Sequence, residues 1–260
     1  MQTKFNSLKK IKTAAVSYLN TKPLIYGFEN GMMKENVDLI IDYPSKIASM
    51  LLEDEIDVGL VPVAIIPQMK EHYIISDYCI GSVGKVASVA LFSEVPINEI
   101  KTVLLDYQSR TSVALLKVLI KEYWKINVVF ENTSGNYQSK ISGTTAGLVI
   151  GDRALIQRKI SPYIFDLGAE WKRFTGLPFV FAAWVSNKKL DETFIKDFNE
   201  ANKFGLNNLD KVVQENPFTI FDLNHYYKDC ISFDLDENKK KGLKLFLKFL
   251  GIERLHPSNL

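Results

Sequence analysis

The segment Ser17-Tyr18-Leu19-Asn20-Thr21-Lys22-Pro23 gathers short hydrogen-bonding side chains where an apolar run ends and a helical pattern begins. A helix that starts there leaves backbone N–H groups unpaired, with the positive end of its peptide dipoles beside them. Ser17, Asn20 and Thr21 add side-chain donors, and Pro23 sits in the opening turn, where its missing N–H costs nothing. Such a junction suits the holding of a small anion, a carboxylate above all, with Tyr18 or Leu19 as its cover. The same residues also suit an ordinary capped helix, with Asn20 or Thr21 as the cap.

A second junction, Asp106 to Ser112, puts Ser109, Arg110, Thr111 and Ser112 in the first turn of a long apolar-faced helix. Arginine opposes the dipole there, which a bound anion would compensate. At the third junction Gly151 permits a tight turn and Asp152 suits a cap. Ser82, Gly84, Lys85 and Ser88 lie on the way from one βα unit to the next, and alternation can point Ser88 into a cleft between them.

Familiar catalytic sets are missing: there is no Gly-x-Ser-x-Gly, no phosphate loop and no His-Glu-x-x-His. His72, His225 and His256 stand away from the strand ends, and Cys79 and Cys230 fit no metal-ligand spacing. The expectation is a site without metal or organic cofactor, built from hydroxyls, amides, a carboxylate or the substrate itself.

The elements that must position these residues are apolar runs alternating with helical segments, an α/β pattern of strands joined by crossover helices in a largely parallel sheet. Strands are expected at Ile11 to Tyr18, Val37 to Tyr43, Val58 to Val63, Tyr73 to Ile80 and Val86 to Ser93. After Pro96 the pattern begins afresh, with strands at Thr102 to Asp106, Ile126 to Glu131, Gly147 to Ile150 and Ile164 to Leu167. Helices are expected from about Thr21 to Met33, Ser45 to Glu53, Ser109 to Trp124 and from Asp152. Phe179 to Ser186 carries the chain back, and Glu192 to Glu215 and Glu237 to Leu250 close it. The division is one lobe of 1–93 and 186–260 and an inserted lobe of 94–185, joined by two crossover strands around a central cleft.

The 260 residues, 47% hydrophobic and 24% charged, suit a soluble globular protein. Thirty-two basic against thirty acidic side chains, with no basic block interleaved with aromatics, exclude nucleic acid as a partner. No apolar run reaches the roughly 20 residues of a membrane helix. The polar start from Met1 to Lys12 gives no sign of an export signal, and the sparse cysteines suit a reducing cytoplasm.

Ser17-Tyr18-Leu19-Asn20-Thr21-Lys22-Pro23-Leu24 resembles the chorismate dehydratases of the futalosine route to menaquinone. Five further blocks resemble that family in order: 58–63, 86–93, 109–112, 149–155 and 175–181. The resemblance runs from about Ile11 to Trp184. It implies a fold like type II periplasmic binding proteins and a cytoplasmic hydro-lyase that converts chorismate to 3-enolpyruvylbenzoate. It also implies Asn20 and Ser88 as catalytic residues and Ser17, Tyr18, Ser109, Arg110, Thr111, Ser112, Gly151, Asp152 and Thr175 as substrate-binding ones. Which helix start takes which carboxylate stays open, as do the general base and the oligomeric state. The alternatives are 1,4-dihydroxy-6-naphthoate synthase of the same pathway, whose family has a Pro-and-Cys-rich opening motif and an active-site histidine without counterpart here, and a non-catalytic cytoplasmic solute sensor.

Overall fold

The computed structural model describes residues 10–251; the start of the chain at 1–9 and His256 lie outside the described residues. Eleven described strands form two sheets. β1 (Ile11–Val16), β2 (Val37–Asp42), β3 (Val58–Pro62) and β4 (Tyr73–Ser82) begin the first sheet. β5 (Val89–Ser93), β6 (Thr102–Leu105), β7 (Val129–Asn132), β8 (Thr145–Ile150) and β9 (Tyr163–Asp166) make the second. β10 (Phe179–Ser186) and β11 (Ser232–Asp234) return to the first.

The helices are α1 (Lys22–Glu29), α2 (Pro44–Leu52), α3 (Arg110–Val118), α4 (Asp152–Gln157), α5 (Leu167–Thr175), α6 (Glu192–Leu206), α7 (Leu209–Glu215), the single turn α8 (Leu223–His225) and α9 (Glu237–Phe249). The helix expected to reach Met33 ends early, because the chain turns through left-handed backbone at Gly31 and Met33. The one expected from Glu192 to Glu215 breaks at Asn207 and Asn208 into α6 and α7.

The orders are β11-β4-β10-β3-β1-β2 and β7-β6-β8-β5-β9. Each sheet sets the strand arriving from the other sheet, reversed, between two of its own members, and in the first sheet the edge strand β11 is reversed as well. β10 runs antiparallel to β3 and β4, and β5 antiparallel to β8 and β9, whereas β1 is parallel to β2 and β3, and β6 to β7 and β8. The sheets are therefore mixed, not largely parallel. β1, β3 and β8 run toward the cleft, and a strand that starts at the cleft must run away from it.

These ladders also move the crossings. Val89 pairs with Ile150 and Ala90 with Asp166, so β5 belongs to the second sheet rather than to the end of the first lobe. Ala182 pairs with Pro62, so β10 belongs to the first sheet rather than to the inserted lobe. The chain crosses at 83–88 and 176–178, not at 93 and 185. The misplacement has a local cause: both strands are buried along their whole length, so no alternation marks which lobe covers them.

One packing contact fixes the cleft's first wall. A methyl group added at Gly27 of α1 would stand 2.2 Å from the Ala201 carbonyl oxygen, and one at Gly205 of α6 would stand 1.8 Å from the Pro23 carbonyl oxygen. Backbone approach this close needs glycine on both helices. Phe28, tilted, and Trp184, edge-on, then pack on Phe198 with centroids 4.9 Å away in each case, which holds α1 over the first sheet. Among the described residues no helix is long and apolar enough to cross a membrane.

Candidate functional site

Between the sheets lies a cavity of about 50 Å³ whose walls come from both lobes. Tyr18, Asn20, Pro44 and Pro62 line it from the first, and Ser109, Thr111, Ser112 and Gly151 from the second; Ile80, Ile150 and Phe181 make an apolar floor. An apolar chamber with a few convergent polar groups is the usual form of a small-molecule site. Two roomier hollows, of about 270 and 420 Å³, are each built from the first lobe alone.

On the first wall, Leu19–Thr21 forms a single 3₁₀ turn before α1. Neither Asn20 nor Thr21 caps the helix with its side chain. Instead the Thr21 hydroxyl donates to Asn20 Oδ1 at 3.3 Å, so that among the described residues the Asn20 amide N–H₂ has no protein acceptor and faces the cavity. Ser17 differs from expectation. It is exposed at the end of β1, does not line the cavity, and is tied only by its N–H to the Asp42 carbonyl at 3.0 Å.

Tyr18 covers the site. Its hydroxyl donates to Gln108 Oε1 across the cleft, and burial, opposed in part by Arg153, pushes the phenol above its ordinary value. Gly151 sits beneath the ring with φ +65°, and a Cβ there would lie 3.0 Å from Tyr18 Cδ2, so glycine is required twice over. The next residue, Asp152, accepts the Leu19 N–H at 3.2 Å, while Tyr227 donates to the Leu19 carbonyl at 2.9 Å. Burial raises the Asp152 carboxyl, and the Leu19 N–H and Arg153 only partly offset it.

On the second wall the expected polar cluster is present, yet most of it is occupied. Ser109 caps α3, accepting the Ser112 N–H at 3.1 Å, and Thr111 Oγ1 accepts the Ala64 N–H at 3.1 Å across the cleft. Thr111 and Ser112 take the buried side of the first turn, which turns Arg110 away; its guanidinium donates to Ser49 Oγ at 3.0 Å on α2 and does not line the cavity. The cation tied to this junction is Arg153, whose guanidinium donates to both Asp106 oxygens at 3.0 and 2.9 Å and to Gln108 Oε1 at 2.7 Å. Thr175, the remaining sequence-based candidate, closes α5: its hydroxyl donates to the Trp171 carbonyl at 2.9 Å and accepts the Leu177 N–H at 3.1 Å. Backbone demand at the second crossing takes that hydroxyl away from the cleft.

Ser88 lies in the first crossing, fully buried, one residue from the cavity-lining Val89. Its carbonyl accepts the Gly151 N–H at 2.8 Å, but its hydroxyl makes no hydrogen bond. The preceding Ala87 has φ +63°, an uncommon backbone for a residue with a Cβ. Asp166 holds it there, accepting the Val86 and Ala87 N–H groups at 2.9 Å each, and Arg158 donates to the Ala87 carbonyl at 3.1 Å. Strain braced so thoroughly is characteristic of working sites. Neither His72 nor His225 lines the cavity.

Sequence reasoning missed Gln108, Arg153 and Tyr227 as site-building residues. The first two stand within segments it singled out, but only their partners reveal the work they do. Tyr227 carries no spacing signal beyond being half of a Tyr-Tyr pair.

Comparisons with known proteins agree with this architecture. Solved structures of similar fold include a protein from Archaeoglobus fulgidus (TM-score 0.70, 14% identity, 93% of this chain and 97% of that one). A Candida albicans protein described as having the generic periplasmic binding protein fold gives TM-score 0.62 at 13% identity, over 96% of this chain and 93% of that one. An alkanesulfonate-binding protein from Xanthomonas axonopodis gives 0.59 at 10% identity, over 95% and 96%. The fold is thus the two-lobed one of periplasmic binding proteins. Among sequence relatives, the chorismate dehydratase of Thermus thermophilus is 27% identical over 259 residues, covering 90% of this chain and 93% of the relative. That of Campylobacter jejuni is 29% identical over 243 residues, covering 90% and 94%. A family model described as menaquinone biosynthesis matches residues 11–251, both lobes and both crossings included, and the chain belongs to that family.

Proposed function

We propose that this protein is a chorismate dehydratase, a hydro-lyase that removes water from chorismate to give 3-enolpyruvylbenzoate. The observation that carries the reading is Asn20, whose amide N–H₂ has no acceptor among the described residues, lining one cavity together with Ser109, Thr111 and Ser112 at the start of α3, in a chain whose relatives are named for that activity.

Chorismate brings two carboxylates, and burying them is costly unless donors replace their water. The starts of α1 and α3 supply such donors, with Asn20 on one wall and the Ser112 hydroxyl on the other. Removing the proton from the ring carbon that bears the enolpyruvyl ether sends charge into the conjugated ring carboxylate. The adjacent hydroxyl then leaves with a proton as water, and the ring becomes aromatic, which drives the step. Donors aimed at the ring carboxylate lower the barrier because they bind the developing dienolate more tightly than the ground state. The substrate's enolpyruvyl carboxylate serves as the base, with Asn20 and Ser88 holding its geometry.

Hydrogen bonds tie the two walls across the cavity, and the lobes would part to admit such a ligand. The links that would open are Tyr18 to Gln108, Leu19 to Asp152, Ala64 to Thr111 and Ser49 to Arg110. Incubating purified protein with chorismate and following mass tests the reading: loss of one water is expected. Tight binding with chorismate unchanged would instead make the protein a sensor, and release of dihydroxynaphthoate from cyclic dehypoxanthinyl futalosine would redirect it to the sister reaction.

A further inference from the structure

Tyr226 stands where no sequence motif drew attention. α8 runs into a π-helical turn, Tyr226–Cys230, closed by the Ile231 N–H on the Tyr226 carbonyl at 3.0 Å. The turn sets two consecutive tyrosines inward, Tyr226 fully buried and Tyr227 nearly so. Tyr227 reaches the Leu19 carbonyl beside Asn20. Hydrogen bonds link this turn to Ser88: Tyr227 is tied to Leu19, Leu19 to Asp152, and the adjoining Gly151 N–H to the Ser88 carbonyl. Burial pushes the Tyr226 phenol well above its ordinary value, and the neighbouring Ser88 hydroxyl draws it back down. Asp152, Tyr227 and Cys230 are its other titratable neighbours. Among the described residues the Tyr226 and Ser88 hydroxyls stand near each other without a hydrogen bond of good geometry, to each other or to any third group, although both are shut off from solvent.

Two orphaned hydroxyls side by side at the braced crossing are costly to the fold, and a group kept at such a cost has work elsewhere. We propose that Tyr226 is a positioning residue for Ser88, its phenol donating to the Ser88 oxygen when the substrate draws the Ser88 proton into the cleft. A serine has one proton to give, and a donor behind its oxygen directs that proton forward. The inference rests on the dehydratase reading and on Ser88 being used in turnover.

Steady-state kinetics and melting of Tyr226→Phe, Ser88→Ala and the double variant test it. Tyr226→Phe is expected to melt at or above the parent temperature, because it removes an unsatisfied hydroxyl. It should keep KM within about twofold and lose about tenfold in kcat, the scale of one well-placed hydrogen bond. The double variant should turn over no more slowly than Ser88→Ala alone, since Tyr226 acts through Ser88. Full turnover in Tyr226→Phe alongside a crippled Ser88→Ala would overturn this inference and leave the dehydratase reading standing. So would a Tyr226→Phe protein that melts well below the parent, which would mark the phenol as structural. Full turnover in both single variants would remove Ser88 from the reaction and the inference with it, while absence of chorismate dehydration by the parent would remove the activity itself.

Discussion

The two helix starts that face the cleft hold their polar groups in opposite ways. At α3, Ser109 caps, Thr111 accepts from Ala64, Arg110 reaches Ser49, and Asp106 just upstream gathers Gln108, Tyr137, Ile150 and Arg153. At α1 the caps stay unused, and Asn20 keeps its amide donors for the cavity. The denser polar cluster is therefore scaffold, and the sparser one holds the freer donors. Polar density at a helix start measures demand from the surrounding fold as much as readiness for a ligand; only an accounting of partners separates the two.

If that contrast is right, substitutions on the two sides should fail differently. The largest effect belongs to Asp106→Ala. The carboxylate is buried, and its removal leaves the Arg153 cation without its main partner and strands the Gln108 and Ile150 N–H groups. A loss of about 3–5 kcal/mol in chemical denaturation is expected, with turnover falling only as folded protein falls. On the α1 side, Asn20→Ala should leave the denaturation midpoint nearly unchanged while kcat drops about a hundredfold, on the scale of one oxyanion donor. Normal turnover by Asn20→Ala, or a stable Asp106→Ala protein with a selective loss of kcat, would invert the comparison.

Much of this was legible in the sequence, and most of the parts that were not share a cause. βα alternation and its fresh start after Pro96 pointed to two units, and β10 appears within the bounds expected of it. Strand direction was not legible, since β5 and β10 are apolar on both faces whichever way they run. Among site residues, Asn20, Tyr18, Ser109, Thr111, Ser112 and Gly151 line one cavity; Ser88 and Asp152 each stand one residue from a lining position without lining it, and neither do Ser17, Arg110 and Thr175 line it. The latter three stand beside the right junctions in sequence. What turns the first two away is long-range, β2 beside Ser17 and α2 beside Arg110, whereas Thr175 is taken locally by Trp171 and Leu177 at the close of α5. Spacing along the chain carries no record of the long-range neighbours.

Asp152 lies between the two sides, reaching from the second lobe to the α1 turn, and it sharpens the comparison through pH. Its carboxyl is raised by burial, so ionising it costs more in the folded chain than in the unfolded one. Between the ordinary value of 3.8 and the raised one the folded chain binds the extra proton, and this contribution to stability declines as pH rises through that window. Asp152→Asn keeps an acceptor for the Leu19 N–H without the charge. Its midpoint should be at least the parent's at neutral pH, and its stability should change less across the window, a smaller effect than either substitution above. A marked loss of stability at neutral pH would mean that the charge itself holds the lobes together.

The smallest effect should come from Arg110, the residue whose type most suggested an anion site. Its guanidinium hydrogen-bonds a serine hydroxyl on α2, outside the cavity wall. An exposed or half-buried polar link of this kind contributes little, and Arg110→Ala should hold kcat and KM within about twofold. A rise in KM of about tenfold or more, with the fold intact, would show that the side chain swings from Ser49 to the ligand when the lobes part. In that case α3 would also hold a donor in reserve, and the contrast between the two helix starts would describe only the closed cleft.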